Sequence, residues 1–372
     1  MRRRWGIRGI CACVGRLWYA FGTVRAQFLL ASFLVLGSPG FGQTATAPPQ
    51  ALPKDPRAIF AAAAPFYDFN DPKLKPWHLK AAYQLYDENG KPTVQGTFEY
   101  WWASPKVHRS TWTRPGMSRT DWHTADGKHA FLGSGERLTF FEGQLQNDLL
   151  GPLPSPDRTD PGKVRLVRHE LKLGTLKLPC VSLVKNNEPQ KENLRYYPTY
   201  CFDASLPVLL LDVSFTGVVV TAYEQIAKFQ GRFLARDIKV YAGDHTFFTA
   251  TVDTIGMLNL SDPALVPPGD AISKPEGVSI SDDVMDGRLV KKEMPVYPPL
   301  ARQERKQGTV LIDAKISVDG SIEDARVICS PSALLSASSL QAVSRWQYKP
   351  YTINGTPVET DTLISVIFQL SP

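Results

Sequence analysis

From Trp77 to Leu258 apolar and polar residues alternate with a period of two, and this pattern limits the fold more than any other feature of the chain. Leu79, Ala81, Tyr83 and Leu85 alternate with His78, Lys80, Ala82 and Gln84. Val94, Gly96, Phe98, Tyr100 and Trp102 alternate with Thr93, Gln95, Thr97, Glu99 and Trp101. Leu209, Leu211, Val213 and Phe215 mark another such face, and Phe248, Ala250 and Val252 a fourth. Successive side chains of a strand point to opposite sides of its sheet, so each run predicts a half-buried strand. Turn signals separate the runs: Glu88-Asn89-Gly90, Asp126-Gly127, Asn186-Asn187 and Gly243-Asp244. Hairpin spacing predicts about nine to eleven strands with little helix between them. The simplest topology is an antiparallel meander, a large curved sheet or open barrel.

The pattern changes on either side of residues 58–258. Ala61–Ala64 followed by Phe66, Tyr67 and Phe69 reads as a short helix entering a loop. Residues 259–292 form a linker broken by Pro263, Pro267, Pro268, Gly269 and Pro275, with room for one short strand near Val278–Ile280. A smaller unit, residues 293–372, follows. Val310, Ile312, Ala314, Ile316 and Val318 alternate with Leu311, Asp313, Lys315 and Ser317, and Asp319-Gly320 is a hairpin signal before a returning strand, Ile322–Cys329. Leu335, Ala342, Val343 and Trp346 share one helical face, and Leu363–Leu370 is a last strand. The fold class is therefore mainly β, an antiparallel open-barrel-like meander, with a small β-β-α-β domain at the C-terminus.

The net charge of +6 suggests a polyanion partner only until its source is located. Residues 1–42 hold six arginines and no acid, and the rest of the chain has 36 basic and 36 acidic residues. No global charge remains to draw it to nucleic acid. Those first residues read instead as an export signal: a basic stretch, the apolar run Phe28–Leu36, and Gly40-Phe41-Gly42 before a cut at Gln43. A run of nine residues is too short to span a bilayer, so a cleaved signal is expected, with a retained anchor as the alternative. Residues 43–57 form a Pro/Ala-rich leader. The mature chain is expected in the periplasm.

An oxidising compartment permits disulfides. Folding 178–185 back on 194–202 sets Cys180 opposite Cys201, and a bridge there would close a loop of ~20 residues, worth roughly 3 kcal/mol. Cys329 reads as a buried free thiol. Trp101 and Trp102 must face opposite sides of their strand. Aromatics fit half-buried strands in any case, and Phe98, Tyr100, Trp101, Trp102, Trp112 and Trp122 are also candidates to line an apolar ligand cavity. Asp121, His123, Asp126 and His129 resemble metal ligands but fit a solvated hairpin end better, so no metal and no cofactor is expected. The sequence has no H-E-x-x-H, G-x-S-x-G, Walker or C-x-x-C motif, and the chain is not expected to be an enzyme.

Residues about 295–370 resemble the C-terminal domain of the TonB family. The matching residues are Pro295-Val296-Tyr297-Pro298-Pro299-Leu300-Ala301-Arg302, Gly308-Thr309-Val310, Asp319-Gly320 and Ser330. Trp346-Gln347-Tyr348-Lys349-Pro350, Asn354-Gly355-Thr356-Pro357-Val358 and the strand ending at Phe368 complete the match. The resemblance implies that an extended peptide from an envelope partner, such as an outer-membrane receptor, adds as a strand to an exposed sheet edge. The candidate edge is Leu363, Ile364, Ser365, Val366, Ile367, Phe368, Gln369 and Leu370. Family members that transduce energy carry a membrane helix with a functional histidine and a long proline-rich spacer. Here all six histidines fall between His78 and His245, and a β domain takes the spacer's place. Residues about 76–256 are similar, by pattern, to the open-barrel carriers of lipids and lipoproteins in the bacterial envelope, with Tyr200-Cys201-Phe202-Asp203 and Phe229-Gln230-Gly231-Arg232-Phe233 among the supporting residues. The first expectation is a transport-supporting adaptor that binds a partner strand. The alternative is a lipid or lipoprotein carrier.

Overall fold

The structure is a computed structural model that describes residues 52–370, apart from 88–89, 187–193, 195–196, 215–218, 243–244, 274–277, 280–284, 286 and 354. The expected export signal, most of the leader, Phe215 at the end of the Leu209–Phe215 run and the Gly243-Asp244 turn lie outside the described residues.

The first element is helix α1 (Pro56–Tyr67), opened by Asp55, whose side chain accepts from the Ala58 N–H at 2.9 Å, with proline in the first turn. Ile59, Ala63 and Tyr67 form its buried face. Strands β1 (Trp77–Tyr86), β2 (Pro92–Ser104), β3 (Val107–Arg114), β4 (Met117–His123) and β5 (His129–Gly135) then run as a hairpin meander. After helix α2 (Phe140–Leu150), a second meander is built from β6 (Val164–Leu173), β7 (Leu176–Lys185), β8 (Thr199–Phe202), β9 (Leu209–Ser214), β10 (Val219–Phe229), β11 (Arg232–Ala242) and β12 (His245–Met257). β1 pairs with β12 and so joins the two meanders, while β5 and β6 do not pair with each other. The sheet is antiparallel and curls without closing.

Helix α2 interrupts the alternating pattern and was not expected. It lies in the connection between β5 and β6 and buries Phe140, Phe141, Leu145 and Leu149 in the core on the concave side of the sheet. Its start is fixed by a capping box: the Thr139 side chain accepts from the Glu142 N–H, and the Glu142 carboxylate accepts from the Thr139 N–H. Glu142 is fully buried, and it also accepts from the Tyr83 hydroxyl at 2.8 Å and the Arg114 guanidinium at 2.9 Å. Gly96, opposite Tyr83, has no side chain because the Tyr83 ring fills that space.

The linker is stitched to both domains. β13 (Ile272–Ser273) adds to β5, and β14 (Val278–Ser279) pairs with the last strand of the C-terminal domain. In that domain β15 (Leu289–Lys291), helix α3 (Pro299–Gln303), β16 (Gly308–Ile316), β17 (Ile322–Cys329), helix α4 (Ala333–Val343) and β18 (Gln347–Tyr348) precede a small hairpin, β19 (Thr352–Ile353) and β20 (Thr356–Pro357), and β21 (Thr360–Phe368). The order of its main sheet is β14-β21-β16-β17. Val310, Ile312, Ala314, Ile364, Val366 and Phe368 pack with Leu335, Val343 and Trp346 on one face.

The other face of this sheet packs on the β domain. Leu311, Cys329 and Leu363 join the same core as Phe140 and Phe141. Alternation alone would place Asp313 in water, but it is fully buried. Its carboxylate accepts from the Phe140 N–H at the start of α2 at 3.0 Å, from Arg326 at 2.9 Å and from Arg137 at 3.3 Å. Arg137 also reaches Asp324 at 2.7 Å and Asp361 at 3.2 Å. An anion at a helix N-terminus with two arginines is well compensated for burial.

Candidate functional site

The curled sheet, α2 and the adjoining side of the C-terminal domain line an open-sided cavity of about 1340 Å³. One wall is aromatic: Trp77, Tyr100, Trp102 and Trp112, with Phe69 beside them. Strand alternation aims these residues inward, and Trp77 stacks on Tyr100 and Trp102 with ring centroids 5.3 and 6.1 Å apart. Of the six aromatic residues expected to line a cavity, Tyr100, Trp102 and Trp112 do so, and Phe98 packs in the core on the same face. Trp101 and Trp122 lie on the opposite face, as the period of two requires. There Arg109 sits over both rings, 4.2 and 5.3 Å from their centroids, and the Trp122 indole donates to the Ala264 carbonyl of the linker.

Towards the C-terminal domain the cavity wall is charged. Arg119 pairs with Asp121 at 2.7 Å, Arg137 with Asp361 at 3.2 Å, and Lys315 with Glu359 at 3.3 Å. Burial works against the Asp121 charge, yet hydrogen bonds from His129 and Arg119 hold its carboxyl below the usual range. Asp361 is pushed up to about 6, chiefly by burial, with Arg137 opposing. His108 stacks on His123 with ring centroids 4.1 Å apart, and His129 lies tilted beside His123 at 5.2 Å, so the three rings run across β3, β4 and β5. Asp126 stands apart on the exposed turn beside Thr124 and Lys128. Among the described residues no group of three or more His, Cys, Asp or Glu side chains is placed to hold a metal ion.

The far end of the cavity carries Asp148 from α2 and Asp212 from β9, with Tyr200, Thr221 and Arg158 also in its wall. The Tyr223 hydroxyl donates to Asp212 at 2.7 Å. Burial pushes the Asp212 carboxyl up to about 6, against hydrogen bonds from Tyr223 and Thr221 and the charge of Arg158. Burial and then the neighbouring Asp212 charge raise the Asp148 carboxyl well above the usual range. Sequence reasoning missed this pair. The run Leu209, Leu211, Val213 suggests one inward face, but a bulge opposite Cys201/Phe202 shifts the register. Leu209 stays in the main core, whereas Leu211 and Val213 pack on the outer side with Cys180, Cys201 and Val220. Asp212 thereby turns inward, opposite Tyr200. Cys180 and Cys201 are bonded, as the hairpin register requires, and Cys329 is a buried free thiol.

The second feature is the outer edge of β21. β16 pairs with β21 along its whole length, from Gly308 opposite Phe368 to Ile316 opposite Thr360. On the other side only β14 pairs, in parallel, at Thr360 and Asp361. The expected edge residues from Leu363 to Phe368 therefore have no strand on that side among the described residues, and Gln369 and Leu370 follow the strand. Thr362 and Ser365 carry hydroxyls buried without a hydrogen-bond partner among the described residues. Ile367 is 55% exposed.

Comparison with known proteins places the C-terminal domain. Residues 293–370 match the family model described as the Gram-negative bacterial TonB protein C-terminal domain. A curated relative, Protein TonB of Vibrio cholerae, is 30% identical over 77 residues, which is 20% of this chain and 32% of the relative. The chain thus spans about a third of the length of that relative. Among solved structures, a DUF1329 family protein from Desulfovibrio piger covers 57% of this chain and 98% of its own, at 13% identity and a TM-score of 0.37. A LolA superfamily protein from Nitrosomonas europaea covers 57% of this chain and 97% of its own, at 10% identity and a TM-score of 0.33. This chain ends in a TonB-like domain.

Proposed function

We propose that this is an exported, non-enzymatic protein of the bacterial envelope. Its TonB-like domain binds an extended segment of a periplasmic or outer-membrane partner by strand addition and so supports transport across the envelope. The observation that carries this reading is the outer edge of β21, where the backbone beyond Asp361 has no strand partner among the described residues. Unpaired N–H and C=O groups on such an edge supply affinity, and alternate side chains supply specificity. The chain's own β14 already pairs with the first two residues of that edge, so its geometry accepts a strand. The basic start and the short apolar run Phe28–Leu36 support export to the periplasm. The test is amide hydrogen exchange along residues 362–368 with and without an extended receptor peptide.

A second reading is favoured by one observation. A cavity of about 1340 Å³ with an aromatic wall is larger than most small-molecule pockets and suits an acyl chain. In this reading the β domain carries a lipid or lipoprotein and the TonB-like domain docks the carrier. Native mass spectrometry of protein purified from its own envelope distinguishes the two. A bound lipid mass favours the carrier, and clean apo protein favours the adaptor.

A further inference from the structure

We propose that the cavity takes an amphiphile with a cationic amine head, held by Asp148 and Asp212, and an apolar body laid along the aromatic wall. This rests on the carrier reading and names the class of its cargo.

Two independent observations point to an occupant. Trp77 is wholly buried in the cavity wall, yet its indole N–H has no hydrogen-bond partner among the described residues. Asp148 also lines the cavity and makes no hydrogen bond or ion pair with a described residue. Asp148 is half-buried, and a carboxylate left without a partner on a cavity wall calls for a donor or a cation from whatever the cavity receives.

The charge around the cavity decides the chemistry of the head. At the end facing the C-terminal domain each cation has an anion beside it: Arg119 with Asp121, Arg137 with Asp361, and Lys315 with Glu359. Each carboxylate that lines that end thus has its own cation. At the other end two carboxyls face one guanidinium, Arg158, which acts on Asp212. The remaining groups there, Tyr200, Thr221 and Tyr223, are neutral hydroxyls, and the Tyr223 and Thr221 hydroxyls already bond Asp212. Among the described residues one carboxyl therefore lacks a countercharge. An ammonium would supply it and would let both carboxyls ionise in a confined space where they otherwise repel. An anionic head would meet the opposite field. The aromatic wall gives the apolar body its place, since aromatic side chains bury large area and attract alkyl chains without direction.

The test is calorimetric titration of the full chain with decylammonium, decanol and decanoate, each below its micellar concentration. Decylammonium is expected to bind roughly tenfold or more tighter than the other two near neutral pH. That advantage should vanish in Asp148→Asn and shrink in Asp212→Asn. Decanol binding should persist in both variants, which reports that the cavity is intact. Cation binding favours the ionised carboxyls, so decylammonium should weaken as pH falls from about 8 to about 5, while decanol should not. Equal affinity for decanol, decanoate and decylammonium would overturn the amine head and leave the carrier reading standing. Failure of all three probes to bind would overturn both.

Discussion

Asp148 carries a half-buried carboxyl whose ionisation should cost the fold stability. Burial and the charge of Asp212 raise its pKa in the folded state. For an acid raised in this way the folded state is favoured at low pH, where the group is protonated in both states. That advantage is lost as pH climbs from the ordinary carboxylate value through the folded one. Asp148→Asn should therefore leave stability little changed near pH 4 and raise it near pH 8, by about 1–3 kcal/mol if the carboxyl behaves as a buried polar group without a partner. Urea denaturation at the two pH values measures this, and a loss of stability at the higher pH would contradict it. Residues of this kind are hard to read from sequence. Asp212 sits in a run that alternates as though Leu211 were inside, and only the bulge turns it inward. Asp313 occupies a solvent-facing place in its strand's alternation and is buried by a second domain that the strand pattern does not encode. Where no bulge or docking intervenes, parity was enough, as for Trp101 and Trp102.

Most strands were legible because a half-buried strand writes its period of two directly into the sequence. The β1–β12 closure and the gap between β5 and β6 were not, since alternation says which face is buried and not which neighbour pairs. Helix α2 was also missed, although Thr139-x-x-Glu142 ahead of its apolar residues is a capping-box signal. That helix is held by one buried acid. Glu142 links the cap to Tyr83 and Arg114, and Gly96 leaves the room that Tyr83 needs. Any side chain at residue 96 must displace the Tyr83 ring and its hydrogen bond to Glu142. Gly96→Ala should cost about 1–3 kcal/mol, the usual range for overpacking, and a thermal shift of the purified variant would measure it. An unchanged melting temperature would mean that the ring moves freely and that Tyr83 is not part of the support for α2. In the C-terminal domain the last strand was legible from its apolar run, and only its candidate role as an edge came from the resemblance. Its partial cover by β14 was not, because two residues in a proline-rich linker leave no periodic trace.

At the scale of the molecule, the two domains are joined by charge at a place that touches both proposed sites. Arg137 from the β domain reaches Asp313, Asp324 and Asp361, and Asp361 also starts the β21 edge and lines the cavity. Arg137→Ala would leave Asp313 with Arg326 and the start of α2 and would strip Asp361 of its closest cation. Breaking a buried pair in this way costs about 3–5 kcal/mol, so the domains should separate more readily. Small-angle scattering of the variant should show a larger radius of gyration than the parent, and an equal radius would mean that the apolar contacts of Leu311 and Leu363 suffice. Strand addition, if it occurs, takes place on the open side of β21. The most direct measurement is residue-resolved hydrogen exchange of the full chain, with and without an extended peptide from an outer-membrane receptor. In an antiparallel strand alternate N–H groups point to the same side, so only every second amide from 362 to 368 meets the partner. Strand addition predicts that those alternate amides gain protection while their neighbours, already bonded to β16, change little. A peptide that binds and leaves every amide from 362 to 368 unchanged would contradict the account.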